Sequence, residues 1–479
     1  MKKNNRKYNE ISRRNLLLNC AKMTGIGAMS SVINMGLISK VLAARPAGSI
    51  NEYKGLVCVF LGGGCDSFNL LAPGNDEYAT YLSTRGPIAR AQNDMHRIVD
   101  SANGDDYHLM GTMNGVRDIF EAGELSFIAN LGTLVEPVTL SNIENARRPS
   151  GLYSHFDQRT QWQNSVPNIR GGSLAGTGWI GRMSEILNDG ANNNAVVNAN
   201  MSPAGHNLIQ TSLSGRALSL DGGANNFELY NQEVDVRQSI EEDLEYQYAS
   251  VLQNHYNQIR GESIDQNIVL NDIERTTTIG TNFPSTDIGN QLRQVAIYIK
   301  AHGADGLRAN RQTFFVDHGS YDMHRGVVTR LPPMLSDLSD ALTAFNDAMH
   351  EIGYHDRVVT YTASDFGRTL SANGLGSDHG WGGNNIVMGG PINGGQVLGN
   401  YPDIALGSST DLGRGRVLPT TSIDQLHSSL AYWFGVDNNS EMEDILPNIR
   451  NFWARTNPNR AIPDSLNLIS TSALSNRSA

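Results

Sequence analysis

The sequence predicts an α/β protein built on a mostly parallel central sheet with helices on both faces and an inserted helical and loop region. Two observations carry that prediction. Apolar runs too short for helices recur along the chain, and stretches with helical periodicity fall between them. Strand and helix taking turns in this way is the pattern of a parallel sheet covered on both sides.

Taken in order, Gly55-Leu56-Val57-Cys58-Val59-Phe60-Leu61 is a continuous apolar run closed by Gly62-Gly63-Gly64, which reads as a strand buried on both faces. Comparable runs follow at 125–131, 312–316, 357–362 and 385–388, with helical patterns at 116–122, 178–187, 288–300, 331–352 and 423–434. Residues 188–226 break the alternation with Asn-, Ala- and Gly-rich sequence and read as loops rather than core. After them, Ile240, Leu244, Tyr248, Leu252, Tyr256 and Ile259 fall on one helical stripe, the pattern of a surface helix covering the core or of a lid. The insertion spans about 188–285, inside a single domain of 45–460, and the Ser- and Asn-rich residues 461–479 read as a disordered tail.

The N-terminus reads as an export signal. Lys2, Lys3, Arg6 and Lys7 precede Ser12-Arg13-Arg14-Asn15-Leu16-Leu17, an apolar stretch follows, and Val41-Leu42-Ala43-Ala44 offers small residues to a peptidase. That order is the twin-arginine pattern, so the twin-arginine translocase is the expected partner and 1–44 the expected signal. The stretch between Lys22 and Lys40 contains Gly25, Gly27 and Gly36 and is short for a membrane span, which needs on the order of 18 or more apolar residues. The mature chain is therefore expected to be periplasmic or secreted, with no stable membrane span.

Removing 1–44 takes away eight basic residues and one acid, moving the formal charge from −11 to −18. An acidic chain without a basic cluster argues against nucleic-acid binding, which needs Lys and Arg gathered on one face. Of three cysteines only Cys58 and Cys65 lie beyond the signal, too few for a disulfide framework or a four-cysteine zinc site. A Cys58–Cys65 bridge is open to them, although Cys58 in an apolar run reads more simply as a small hydrophobe.

Five polar blocks stand just beyond strands or at helix starts, where an α/β sheet opens its ligand crevice. Asp66 follows the first strand and its glycine turn. Ser154, in Tyr153-Ser154-His155-Phe156-Asp157, opens a helical stretch, a position that suits either an N-cap or an anionic oxygen. Asp322 and His324, two residues apart in a loop, suit one divalent cation. Asp365 and Arg368 follow the strand at 357–362, and His379 leads into the strand at 385–388. Asp317-His318-Gly319 lies beside the third block, with His318 assigned to loop structure.

Together Phe60-Leu61-Gly62-Gly63-Gly64-Cys65-Asp66, Ser154-His155-Phe156-Asp157, Gly178-Trp179-Ile180-Gly181-Arg182, Tyr321-Asp322-Met323-His324, Ser364-Asp365-Phe366-Gly367-Arg368, Ser377-Asp378-His379-Gly380-Trp381-Gly382 and Leu418-Pro419-Thr420-Thr421-Ser422 resemble the bacterial domain-of-unknown-function family numbered 1501. The resemblance covers roughly 50–440 and implies an alkaline phosphatase-like fold with that superfamily's two-metal site. It implies Asp66, Asp322, His324, Asp365 and His379 as ligands of a divalent ion (Zn, Ca, Mg or Mn), Ser154 as nucleophile, and Arg368 or Arg159 as a clamp on the transferred group. Phe366 stands where the second metal usually finds an imidazole, so one ion is expected, and a second would have only carboxylates to hold it. The implied function is an exported metal-dependent hydrolase of phosphate or sulfate monoesters, acting on a small-molecule or polymer ester. The alternative is a catalytically degraded binding or assembly protein of the same fold.

Overall fold

The computed structural model describes residues 49–168, 174–192, 195–215, 217–220, 234–453 and 466–475, so the expected signal lies outside the described residues, while 466–475 of the expected disordered tail are ordered, with Leu466, Leu468 and Ile469 buried in a core. In chain order the strands are β1 (Lys54–Leu61), β2 (Leu71–Pro73), β3 (Met95–Val99), β4 (Asp106–Met110), β5 (Leu125–Gly132), β6 (Asn200–Ser202), β7 (Leu218–Ser219), β8 (Arg311–Asp317), β9 (Val358–Ser364), β10 (Arg368–Ala372), β11 (Ser377–His379), β12 (Gly383–Met388), β13 (Val397–Gly399) and β14 (Thr421–Ser422). Nine of them form the central sheet in the order β13-β5-β12-β9-β1-β8-β6-β7, with β14 also on β5. Neighbours run parallel except at β12, which is antiparallel to both β5 and β9.

The principal helices are α1 (Tyr78–Arg85), α2 (Asn114–Glu121), α3 (His155–Asn164), α4 (Trp179–Ala191), α5 (Val234–Glu245), α6 (Val251–Thr276), α7 (Asp287–Lys300), α8 (Val327–Ile352) and α9 (Ile423–Phe434). They cover both faces, as β1 shows. Its Val57, Val59 and Leu61 join one core with α2, α7 and α8, while Leu56, Cys58 and Phe60 join a second core with Trp162 of α3, α4 and α9. Successive side chains of a strand point to opposite faces, so a continuous apolar run is what a doubly covered strand requires. Cys58 is buried as one of these core residues, and both Cys58 and Cys65 are free thiols rather than a bridge.

Two expectations are corrected. Residues 188–226 contain β6 and β7, and Val197, Ala199, Met201 and Leu220 enter the first core. Strands of two and three residues are too short to print a period on the sequence. The stripe from Ile240 to Ile259 is not one helix face either. The chain leaves helix after Glu245 and restarts at Val251, where Ser250 caps α6 by accepting from Gln253 N at 3.4 Å. Leu252, Tyr256 and Ile259 are exposed, while α6 buries Ile264, Leu270 and Ile273.

The sheet order fixes where chemistry gathers. β9, β1 and β8 are adjacent and parallel, so the segments leaving Leu61, Asp317 and Ser364 emerge side by side at one end. Because β12 is antiparallel, its start at Gly383 reaches that same end and brings 378–382 with it. A backbone contact locks the first two of these loops together. Tyr321 N donates to Gly62 O at 3.0 Å, and a Cβ on Gly63, whose φ is +109°, would sit 2.6 Å from Asp322 N. Only glycine fits that approach.

Candidate metal centre

At this end three imidazoles and one carboxylate converge. His379 Nε2 lies 3.1 Å from His155 Nε2 and 2.9 Å from His324 Nε2. Asp322 Oδ1 lies 3.1 Å from His324 Nε2, 3.6 Å from His155 Nε2 and 3.7 Å from His379 Nε2. The donor atoms of His155, Asp322 and His379 all fall within 4.8 Å of one another.

What each imidazole does with its other nitrogen decides how the cluster is read. His379 Nδ1 faces the carbonyl oxygen of Tyr153 at 2.7 Å, and a carbonyl only accepts, so Nδ1 carries the proton. His155 Nδ1 lies 2.6 Å from Asp365 Oδ2, and His324 Nδ1 lies 3.3 Å from Asp378 Oδ1. Hydrogen bonds from Asn373 and His324 hold the Asp378 carboxyl below the usual range against a smaller opposing effect of burial, so it too accepts. His379 therefore turns an Nε2 lone pair toward the Nε2 atoms of His155 and His324, whose rings are each fixed at Nδ1 by a carboxylate. Contacts of 2.9 and 3.1 Å between Nε2 atoms are met either by a proton shared between two rings or by a cation that engages both lone pairs. Rings fixed through Nδ1 by a carboxylate or carbonyl are how proteins aim imidazoles at a metal. Donors bound tetrahedrally at about 2.0–2.1 Å stand roughly 3.3 Å apart, within the span observed here.

The electrostatics agree with a cation site. Burial would raise the Asp322 carboxyl, but its hydrogen bond with Arg368 and the charge of that guanidinium hold it below the usual carboxylate range. The His379 imidazole is pushed down, chiefly by burial and also by Arg368 and its two neighbouring imidazoles, which keeps Nε2 free of a proton.

Of the residues expected at the site, Asp322, His324 and His379 come together. Asp365 stands one residue further out: its Oδ2 takes His155 Nδ1 and Gly63 N (3.1 Å), while its Oδ1 is buried without a partner. Asp66 is elsewhere. It is 2 % exposed and committed to an ion pair with the buried Arg85, with Asn69 and Ser377 Oγ each at 3.5 Å. Four residues after Gly62, its side chain turns away from the metal cluster to Arg85, the last residue of α1.

Arg368 is also corrected. It is fully buried, with its guanidinium directed at Gly63 O (2.5 Å), Gly64 O (2.8 Å), Ser377 O (3.0 Å) and Asp322 Oδ1 (2.5 Å). It positions the loops and Asp322 and has no donor aimed at a substrate. Arg159 is half exposed, 3.5 Å from Asp317 Oδ1, and faces a cavity of about 350 Å³ lined also by Phe156, His206 and Phe315. His318 pairs with the hydroxyl of Tyr321 at 2.9 Å, in keeping with a loop role.

Ser154 caps α3, accepting from Asp157 N at 3.4 Å. Both of its chain neighbours belong to the cluster, His155 directly and Tyr153 through its carbonyl. Tyr153 adopts φ +70°, uncommon for a non-glycine residue, and this bend directs that carbonyl at His379. His155 is the residue sequence reasoning missed, although it lies inside the block built around Ser154. Phe366 packs its ring against His155 and His379, at centroid distances of 4.7 and 4.6 Å. The imidazole beside Asp365 thus comes from α3, not from the position after Asp365.

A family model described as "Protein of unknown function (DUF1501)" matches residues 144–448. No curated protein matches the chain. Among solved structures, Ps i-CgsB in complex with k-i-k-neocarrahexaose is similar at 11% identity and TM-score 0.34, covering 84% of this chain and 77% of that one. The lipoteichoic acid synthase LtaP from Listeria monocytogenes is similar at 9% identity and TM-score 0.31, covering 90% of this chain and 81% of that one. The C-terminal periplasmic domain of EcEptC from Escherichia coli, in complex with Zn, is similar at 9% identity and TM-score 0.28, covering 72% and 77%.

Proposed function

The chain belongs to the family described as protein of unknown function (DUF1501), and from that premise and its histidine cluster we propose that it is a metal-dependent hydrolase of phosphate or sulfate monoesters. The observation that supports this most is the convergence of the His155, His324 and His379 Nε2 atoms with Asp322 Oδ1, each ring fixed through Nδ1. A divalent ion held there lowers the pKa of an attacking hydroxyl and neutralises charge on the transferred group. His155, Asp322 and His379 would hold it, with His324 beside them, and one ion per centre is the expectation. Ser154 supplies the hydroxyl from the first turn of α3, where unpaired backbone N–H groups favour an anionic oxygen. Arg159 meets the transferred group from the adjoining cavity, and Asp365 keeps His155 in the tautomer that presents Nε2.

The test is turnover of an activated aryl phosphate and an aryl sulfate by metal-loaded protein, alongside Ser154→Ala. The variant is expected to lose at least about 10³-fold in kcat while keeping its metal and its fold, since loss of a cap costs only about 1 kcal/mol. Activity that survives Ser154→Ala would remove Ser154 from its role. No turnover by wild type across a broad ester panel favours the alternative, a binding or assembly protein that retains the metal centre. Burial of the Phe366 hydrocarbon against two of the imidazoles, and the commitment of Asp66 to Arg85, are the observations on that side.

We also propose export by the twin-arginine route to the periplasm or beyond. Among the described residues no helix is long and apolar enough to cross a membrane. Arg13→Lys with Arg14→Lys is expected to leave unprocessed precursor in the cytoplasm on cell fractionation; processed double mutant in the periplasm would overturn the route.

A further inference from the structure

A second cluster of donors lies at the opposite end of the sheet. Glu124 ends the turn between α2 and β5, His350 stands in the last turn of α8, and His355 opens the short 3₁₀ turn before β9. Glu124 Oε2 is 3.0 Å from His350 Nε2 and 3.4 Å from His355 Nε2, and the three donor atoms fall within 4.8 Å of one another. Because β9 runs seven residues from Val358 to Ser364, this cluster and the one at His155 are separated by about 20 Å at roughly 3.3 Å per residue.

We propose that Glu124, His350 and His355 form a second divalent-cation site, of the zinc class, that staples the C-terminus of α8 to the end of the sheet where β5 and β9 begin. Two imidazoles and one carboxylate, with a fourth position left to water, are a zinc donor set. The arrangement is built rather than incidental. Asn346 Nδ2 holds the carboxylate at 2.8 Å, Gly389 N fixes the Glu124 carbonyl at 2.9 Å, and Gly390 N fixes the His355 carbonyl at 3.1 Å. The His350 and His355 rings stack with centroids 3.8 Å apart and planes 17° apart, which keeps both Nε2 atoms beside Glu124 Oε2; because each lone pair lies in its ring plane, a shared ion requires one of the two rings to turn out of the stack.

His355 supplies the second reason. Its Nε2 is buried and makes no well-aligned hydrogen bond, although it stands at ion-pair distance from Glu124. A nitrogen close to a carboxylate but turned off its hydrogen-bond axis suits a lone pair sharing a cation with that carboxylate better than an N–H donating to it.

The proposal stands apart from the proposed hydrolase function, and its experiment keeps the two separate. Full-length exported Asp322→Asn/His379→Ala protein, stripped and titrated with zinc alone by calorimetry, is expected to retain one site and to gain thermal stability on zinc addition. Adding His350→Ala, at a half-exposed position that tolerates truncation, is expected to weaken that site by more than the roughly 10–100-fold that loss of an outer-shell partner costs, and to abolish the stabilisation. Glu124→Gln, which keeps the shape of the side chain, is expected to do the same. A background protein that binds no zinc, or that binds it equally well with His350→Ala and with Glu124→Gln, overturns the site whatever the fate of the hydrolase reading.

Discussion

Asp322→Asn combined with His379→Ala is expected to remove one tightly bound divalent ion per chain and all ester turnover from natively exported protein. Asp322 is the carboxylate that stands within 3.7 Å of all three Nε2 atoms, and His379 is the ring that touches both of the others. Without them His155 and His324 are left as two imidazoles, each tied at Nδ1, with no carboxylate between their Nε2 atoms. An ion bound only by the folded chain stabilises it by about 4 kcal/mol when present at a thousand times its dissociation constant, and that increment should vanish from the unfolding curve of the variant. Elemental analysis, followed by thermal unfolding with and without chelator, measures both effects when the comparison is made in a His350→Ala background that removes the Glu124 site. Wild-type protein that carries no ion at this centre and unfolds identically in chelator would dispose of the metal reading.

The fold was legible because its signals are local. The apolar run at 55–61 needed only to be recognised as too short for a helix, and the structure places it as β1 between β8 and β9. Asp322, His324 and His379 were legible for a related reason, since each leaves a strand end or enters a strand, and the parallel order of β9, β1 and β8 gathers those ends. What failed depends on side-chain direction. Asp66 has the same kind of position on paper, yet its carboxylate turns to the buried Arg85, a partner across the α1 segment that no spacing announces. His155 was hidden behind Ser154 because a helix start offers both residues, and only the strained backbone at Tyr153 and the reach of Asp365 show which ring is aimed. The break between α5 and α6 was missed because the apolar stripe continues through it while the hydrogen bonding does not.

Arg368→Lys is expected to be the most destabilising conservative change at the site. The guanidinium is fully buried and reaches four acceptors at once, the carbonyls of Gly63, Gly64 and Ser377 and the carboxylate of Asp322, which lie in three different loops. A lysine keeps the charge but offers one compact ammonium on a flexible stem, so it satisfies one or two of the four and leaves others without donors, the Gly64 and Ser377 carbonyls among them in the interior. Breaking a buried charged contact of this kind costs about 3–5 kcal/mol, a large fraction of the stability of an ordinary domain. The effect should also reach the metal, because Arg368 is what holds Asp322 ionised and oriented toward the histidines. Denaturant unfolding is therefore expected to show a lower midpoint, and competition with a chelator a weaker ion at Asp322, while the cation at Glu124 is unaffected. A variant with wild-type midpoint and wild-type metal affinity, but a kcat reduced on anionic esters, would return Arg368 to the role of a clamp on substrate and remove it from the architecture.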